Sequence, residues 1–165
     1  YTGYVNKLNE IEEKLQTVDR KTANATFSDF RALKKSEVFA TNGITLHEGY
    51  FDNLGGEGSE PSEKVLEAIK NSFESFDKWK EDFLACGMAA RGWVVLAYNL
   101  EDKKLHNYIA DTHDIGGVWS CVPLLVLDVY EHAYFIDYAT KKKDYLEKFM
   151  ANLDWKAVEE RLGNF

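Results

Sequence analysis

A stretch in the C-terminal half, Val122–Tyr138, constrains the fold more than any other part of the chain. Its first part, Val122–Leu127, is an unbroken apolar run typical of a buried strand. Asp128 follows that run directly, and His132 comes four residues later, where the pattern turns helical from about Glu131. Two potential metal ligands are therefore predicted at the corner where a strand gives way to a helix.

Composition narrows the class of protein. The chain of 165 residues is long enough for one domain, or for two small layers that share a core. Its 45% hydrophobic and 14% aromatic content argues against disorder, and its net charge of -8 argues against a nucleic-acid surface. No run is long enough to span a bilayer. Cys86 and Cys121 lie in apolar surroundings, so we expect buried thiols in a cytoplasmic protein.

Periodicity and turn signals predict an α+β fold. We expect an N-terminal helical hairpin domain over 1–56, then a C-terminal domain over 61–165 with a three-stranded antiparallel sheet and flanking helices. The glycine-rich segment 55–61 is the predicted boundary. Helices are predicted over 4–15, from about 36 to 54, after 61–63, from 76 to near 87 and from about 131, and strands over 93–98, 105–110 and 122–127. Asp144 and Asp154 are candidates to cap later helical segments.

The chain has four histidines, and each has an ordinary structural explanation, which for His113 is that of a loop residue. His47, on an inward helical face, could be a hydrogen-bonded core residue, and His106, on a hairpin strand, a surface residue. Asp128 and His132 could be a carboxylate at a helix start and a packed histidine. Histidines and a carboxylate that converge from separate elements suit iron or manganese. The sequence contains no Cys-x-x-Cys pair, glycine-rich phosphate loop or His-Glu-x-x-His helix.

The segment Asp128–Tyr134 resembles the signature of the iron/manganese superoxide dismutases, which usually reads Asp-Val-Trp-Glu-His-Ala-Tyr. Leu46–Phe51 resembles the family's Asn-His-Ser-x-Phe-Trp segment, and Arg91–Trp93 its Gly-Ser-Gly-Trp. Similar pieces stand in the family's order at Tyr4–Asn9, Pro123–Leu125 and Asn152–Trp155. The resemblance implies conversion of superoxide into oxygen and hydrogen peroxide at one iron or manganese ion per subunit.

The resemblance also implies a ligand set. His47, Asp128 and His132 match metal ligands, and Tyr4 matches a catalytic tyrosine that guards the substrate funnel. The family's remaining protein ligand is a histidine eight residues before that tyrosine, a position that would precede Tyr1. We therefore expect that the natural chain starts further upstream. The alternative is a catalytically degenerate, dimeric protein of the same fold that binds metal weakly or only has a structural role.

Other matching positions surround the ligands. Trp93 corresponds to an aromatic wall of the pocket, and Tyr130 stands where tryptophan is commoner. His113, fifteen residues before Asp128, falls where manganese members carry a glutamine that hydrogen-bonds the metal-bound solvent. Gly43 falls where iron members carry that glutamine. The resemblance is thus to the subgroup with a catalytic histidine in this role, and it leaves the choice between iron and manganese open.

Glu131 and Tyr134 match residues at the dimer interface of the family. The counterpart of Glu131 hydrogen-bonds a metal-ligand histidine of the partner subunit, which implies a homodimer, with a tetramer as the larger alternative. On the sequence alone, Glu131 could equally be a solvated glutamate in the first turn of a helix. Superoxide is the implied substrate, and neither a nucleic acid nor a membrane is expected as a partner.

Overall fold

The computed structural model describes residues 1–56 and 58–165, so Glu57, inside the predicted break, lies outside the described residues. The chain forms two compact units, residues 1–47 and 48–165. Among the described residues, no helix is both long and apolar enough to cross a membrane. The domain limits 1–56 and 61–165 remain a prediction.

The first unit consists of α1, Thr2–Thr17, a 3-10 turn at Arg20–Thr22, and most of α2, Asp29–Asp52. The helix predicted over 4–15 is confirmed. The second helix begins at Asp29 rather than near residue 36, because the hydroxyl of Ser28 caps it by accepting the N–H of Arg31 at 3.2 Å. Helix α2 ends in the second unit, which holds its residues from Glu48 onward.

The second unit has an antiparallel sheet, covered by helices, in its described residues. Its strands are β1, Trp93–Asn99, β2, Leu105–Ala110, and β3, Cys121–Asp128, in the order β2-β1-β3. The helices are α3, Glu63–Phe73, α4, Phe76–Ala89, α5, Glu131–Tyr138, α6, Lys142–Ala151, and α7, Trp155–Leu162. The predicted α+β fold class, with a three-stranded antiparallel sheet and flanking helices, is confirmed, and β1 is the central strand of the sheet.

Strand β3 is buried on both faces, which explains its apolar run. Its residues 124–127 are each at most 1% exposed. A strand covered on one face would alternate between apolar and polar residues. On one side the tail of α2 comes so close that a Cβ on Gly49 would lie 2.8 Å from Cγ2 of Val126. Only glycine therefore fits at this point of the helix without displacing Val126.

A bulge in β3 is fixed by a buried polar cluster. The register shifts next to Leu96, which leaves Leu124 as the extra residue of the strand. The carbonyl of Leu124 accepts a hydrogen bond from Nη1 of Arg161 at 2.8 Å, and the same nitrogen donates to Oδ1 of Asn53 at 2.6 Å. Asn53 is fully buried, and its Nδ2 donates to the carbonyl of Val126 at 2.7 Å. The cluster thereby joins the end of α2 to β3 and α7.

Two predictions about local features need correction. Asp154 caps α7 as predicted, since its carboxylate accepts the N–H of Lys156 at 3.0 Å. Asp144 is not the N-cap of α6, because that helix begins at Lys142 and Asp144 lies inside its first turn, where a carboxylate still suits the helix dipole. Cys86 and Cys121 are free thiols, but both are partly exposed rather than fully buried.

Candidate metal centre

The strand-to-helix corner predicted from the sequence is present. Asp128 is the last residue of β3 and is 1% exposed, and His132 is the second residue of α5, with 63% of its side chain exposed. Oδ1 of Asp128 accepts the N–H of Tyr130 at 2.9 Å, and Oδ2 lies 3.1 Å from Nε2 of His132. The corner therefore presents one carboxylate oxygen and one imidazole nitrogen side by side.

The spacing of these two atoms fits a shared metal ion. Two ligands that each lie about 2.1 Å from an ion, at roughly a right angle, are about 3 Å apart, close to the separation between Oδ2 and Nε2. Burial of a carboxylate is unfavourable unless positive charge or hydrogen bonds compensate it, and a cation next to Asp128 would add such compensation. An oxygen and nitrogen donor set is also the kind that iron and manganese accept.

His113 lies in the connection between β2 and β3 and is 5% exposed. The indole Nε1–H of Trp93 donates to Nδ1 of His113 at 2.9 Å. Because Nδ1 accepts this bond, the neutral ring carries its proton on Nε2. The buried Trp93 thus makes Nε2 of His113 a hydrogen-bond donor, as an amide nitrogen of glutamine would be.

Tyr130 connects the aromatic residues of the second unit. Its ring stacks on His132, with centroids 5.4 Å apart, and meets Trp93 edge-on at 6.0 Å and His113 at 5.6 Å. Its hydroxyl donates to the carbonyl of Asp111 at 3.2 Å. The structure therefore brings Trp93, His113 and His132 together around Tyr130. The hydroxyl of Tyr130 also ties this ring to the main chain at Asp111.

In the first unit, the structure brings together Tyr4 and His47. His47 is buried on α2, and its Nδ1–H donates to the carbonyl of Gly43 at 2.6 Å. This bond leaves the lone pair of the neutral ring on Nε2, the arrangement typical of metal-ligating histidines. The ring of Tyr4 lies 5.7 Å from that of His47 and 6.0 Å from that of Phe39.

Sequence reasoning missed two tyrosines behind Asp128. The hydroxyl of Tyr145, on α6, donates to the main-chain carbonyl of Asp128 at 2.7 Å, and the hydroxyl of Tyr50 lies 2.9 Å from that of Tyr145. Burial raises the pKa of both phenols, so both remain protonated donors at ordinary pH. One signal was available: Tyr50 occupies the phenylalanine position of the segment around His47.

The exposed side of α5 is apolar beside the candidate ligands. Ile136 is 94% and Phe135 51% exposed, and Glu131 is also exposed at the start of the helix. Tyr134 is only 9% exposed, because its ring stacks on Tyr145 with centroids 5.2 Å apart. Most of the Tyr134 side chain is therefore packed within its own chain, and only a small part is accessible to a partner subunit. His106 lies apart and pairs with Asp102 at 2.8 Å.

Comparison with known proteins places the chain among one group of enzymes. Residues 61–161 match the family described as iron/manganese superoxide dismutases, C-terminal domain. The chain is 40% identical over 98% of its length to the iron superoxide dismutase of Aquifex pyrophilus, of which it covers 78%. It is 39% identical over 99% of its length to the iron enzyme of Cupriavidus metallidurans, covering 82%, and 36% identical over 97% to the manganese enzyme of Haloarcula marismortui, covering 78%.

Proposed function

The chain belongs to the iron/manganese superoxide dismutase family and is an oxidoreductase of that class, and we propose that it acts on superoxide at one iron or manganese ion held by His47, Asp128 and His132. The observation that carries the proposal is the pair of ligand atoms of Asp128 and His132, 3.1 Å apart at the end of β3. The products are oxygen and hydrogen peroxide.

The donor chemistry supports this ligand set. Each of the three residues offers one ligand atom, and two of them are buried. His47 would bind through Nε2, because its Nδ1–H is committed to the carbonyl of Gly43. Asp128 would bind through Oδ2, because Oδ1 accepts the N–H of Tyr130. In each case a main-chain hydrogen bond orients the ligand and leaves a defined atom for the metal.

Iron or manganese supplies one-electron redox chemistry when bound, so that one superoxide is oxidised and a second is reduced. The surrounding side chains control protons. His113 holds a proton on Nε2, where it can donate to a solvent molecule or an anion in the site, and Trp93 keeps it there. Tyr4 contributes a phenol hydroxyl, on a ring whose centroid lies 5.7 Å from that of His47. We propose catalytic roles for both Tyr4 and His113.

We also propose that His113 influences whether the iron-loaded or the manganese-loaded form is the more active. A hydrogen-bond donor near metal-bound solvent shifts the pKa of that solvent and the reduction potential of the metal together. We expect His113→Gln to change the ratio of activities of the iron-loaded and manganese-loaded forms. An unchanged ratio, together with unchanged activity, would count against this role.

The main experiment is metal analysis combined with a superoxide dismutation assay. We expect about one ion per chain, loss of activity when a chelator removes it, and recovery with iron or manganese. Asp128→Asn should abolish binding. Asp102→Asn is the matched control, since Asp102 and His106 form the same four-residue pair outside the site. Protein that folds, binds neither metal and is inactive would instead establish the degenerate alternative.

We further propose a homodimer formed through α5. Its exposed Phe135 and Ile136 provide apolar area. Glu131, exposed in the first turn of the same helix, would face the partner subunit. Tyr134 would contribute only its exposed edge.

A cytoplasmic location is proposed because Cys86 and Cys121 are unpaired thiols, as expected in a reducing compartment.

A further inference from the structure

We propose that Tyr145 and Tyr50 are positioning residues, which hold the metal ligand Asp128 through a directed chain of hydrogen bonds. This role rests on the proposed function, because it assumes that Asp128 binds the metal. Neither tyrosine was found by its position in the sequence. Both lie in the second unit, behind the end of β3.

The direction of the chain follows from its atoms. The hydroxyl of Tyr145 donates its single proton to the carbonyl of Asp128 at 2.7 Å. The contact of 2.9 Å between the two phenol oxygens can then form only if Tyr50 donates and Tyr145 accepts. Hydrogen bonds linked in this way polarise and strengthen one another. The hydroxyl of Tyr50 therefore reinforces the bond from Tyr145 to Asp128.

The peptide that carries the ligand is held at both of its polar atoms. Its carbonyl, from Asp128, accepts the bond of Tyr145, and its N–H, from Val129, donates to the carbonyl of Gly92 at 2.8 Å. With the N–H of Tyr130 on Oδ1 of the carboxylate, three bonds fix the direction in which Oδ2 points. Because the ligand is already fixed in this way, it loses little conformational freedom when it binds the metal.

The packing around Tyr145 supports a positioning role. Tyr145 is 6% exposed, and its ring is stacked on that of Tyr134 and contacted by that of Tyr138. The ring of Tyr50 stacks on Phe149, with the two planes 11° apart. The phenols thus have fixed ring positions, which the hydroxyl bonds alone would not provide. Phenylalanine at position 50, as in the family segment, would keep the stacking and lose the donor.

The test compares Tyr145→Phe, Tyr50→Phe and the double variant, each loaded with the metal that the wild-type protein holds. The measurement is the rate of metal loss to an excess of chelator. We expect release about tenfold faster for Tyr145→Phe, the loss of one buried hydrogen bond, and about twofold faster for Tyr50→Phe. The double variant should match Tyr145→Phe alone, because Tyr50 acts only through Tyr145.

Two controls separate positioning from general stability. Tyr138→Phe also removes a hydroxyl from a ring packed on Tyr145, but from outside the chain of bonds, and it should release metal at the wild-type rate. The absorption spectrum of the loaded ion should shift in Tyr145→Phe and stay unchanged in Tyr138→Phe. Unfolding of the metal-free proteins measures stability separately. If Tyr145→Phe fails to fold, the positioning role can still be tested by comparing the rates of metal loss of Tyr50→Phe and Tyr138→Phe.

The outcomes are distinguishable. Wild-type metal loss and spectrum in Tyr145→Phe, or in Tyr50→Phe if Tyr145→Phe does not fold, would overturn the positioning role. Additive effects in the double variant would overturn the part assigned to Tyr50. Folded wild-type protein that takes up neither iron nor manganese would overturn the proposed function and this role together.

Discussion

At the scale of the residue, the indole of Trp93 decides what His113 can do. We predict that Trp93→Phe lowers the activity per bound ion about tenfold, because the ring of His113 loses the bond that keeps its proton on Nε2. The dismutation rate and the ¹⁵N shifts of the His113 ring provide the measurement. Unaltered ring shifts would contradict the assigned tautomer.

Trp79→Phe is the matched control for this prediction. Trp79 is also fully buried, and its Nε1–H also donates to a side chain, Oδ1 of Asn107 at 3.1 Å. We expect this variant to lose comparable stability while its activity per bound ion stays that of the wild type. The comparison separates loss of a buried indole from loss of the bond to His113.

At this scale the sequence could nominate His113 as a candidate, but it could not predict which ring nitrogen carries the proton. The resemblance to the family made His113 a candidate, because it lies fifteen residues before Asp128. The tautomer depends on Trp93, twenty residues earlier in the chain, which comes into contact only after the sheet has formed. Tyr145 was missed for the same reason: it contacts a main-chain atom of Asp128, and no pattern of side chains records that contact.

At the scale of the element, α1 carries an ion-paired triplet that makes its stability depend on pH. Hydrogen bonds and charge from Lys14, at 2.6 Å, and then from Lys7 lower the pKa of Glu10 from 4.5 to about 2. A depressed pKa stabilises the folded state above pH 4.5, and this contribution is lost as the pH falls toward 2. The Lys7 and Lys14 pairings are exposed and therefore weakened by salt.

We predict that Glu10→Gln reduces the dependence of thermal unfolding on pH within this window. Wild-type protein should lose more stability than Glu10→Gln between about pH 5 and about pH 2, and the difference should shrink at about 1 M salt. Circular dichroism melts at both salt concentrations are the measurement. If the unfolding temperatures of wild type and Glu10→Gln change with pH in parallel at low salt, the ion-paired triplet contributes nothing to the pH dependence of stability.

The polar cluster at the bulge of β3 gives a prediction for the sheet. Asn53→Ala should lower the free energy of unfolding by about 2 to 4 kcal/mol, because it leaves the buried carbonyl of Val126 and the guanidinium of Arg161 each short of a partner. Denaturant titration of the metal-free protein is the measurement. Asn152→Ala, which removes an exposed bond to the carbonyl of Lys148, should change it by less than about 0.5 kcal/mol.

Most elements were predictable because local rules agree with their surroundings. The apolar run before Asp128 indicated a strand, and the structure explains the run because the strand is buried on both faces. Ser62 and Ser75 are ordinary caps at the start of α3 and α4. The early start of α2 was missed because Phe30 and Leu33 were assigned to short loop contacts and the cap formed by Ser28 was not recognised. The bulge at Leu124 could not be predicted, since it depends on Arg161 far along the chain.

At the scale of the whole molecule, the exposed face of α5 predicts self-association. Ile136→Glu should shift the protein toward the monomer, because a charge would replace the most exposed large aliphatic side chain of that helix. Sedimentation velocity over a range of protein concentrations is the measurement. Ile115→Glu alters another exposed isoleucine, outside α5, and should leave the oligomeric state unchanged. A wild-type profile for Ile136→Glu would exclude α5 from the interface.

If Asp128 and His132 bind the metal and subunits pair through α5, as proposed, the amount of protein in the cell becomes a factor in metal retention. Asp128 is sheltered by its own chain, whereas His132 lies on a helix whose apolar side chains face water. Association through α5 would withdraw His132 from solvent, and by mass action the metal would then be held more tightly as subunits pair. Dilution alone should therefore accelerate loss of the metal. A cell making little of the protein would retain it mainly in the empty form.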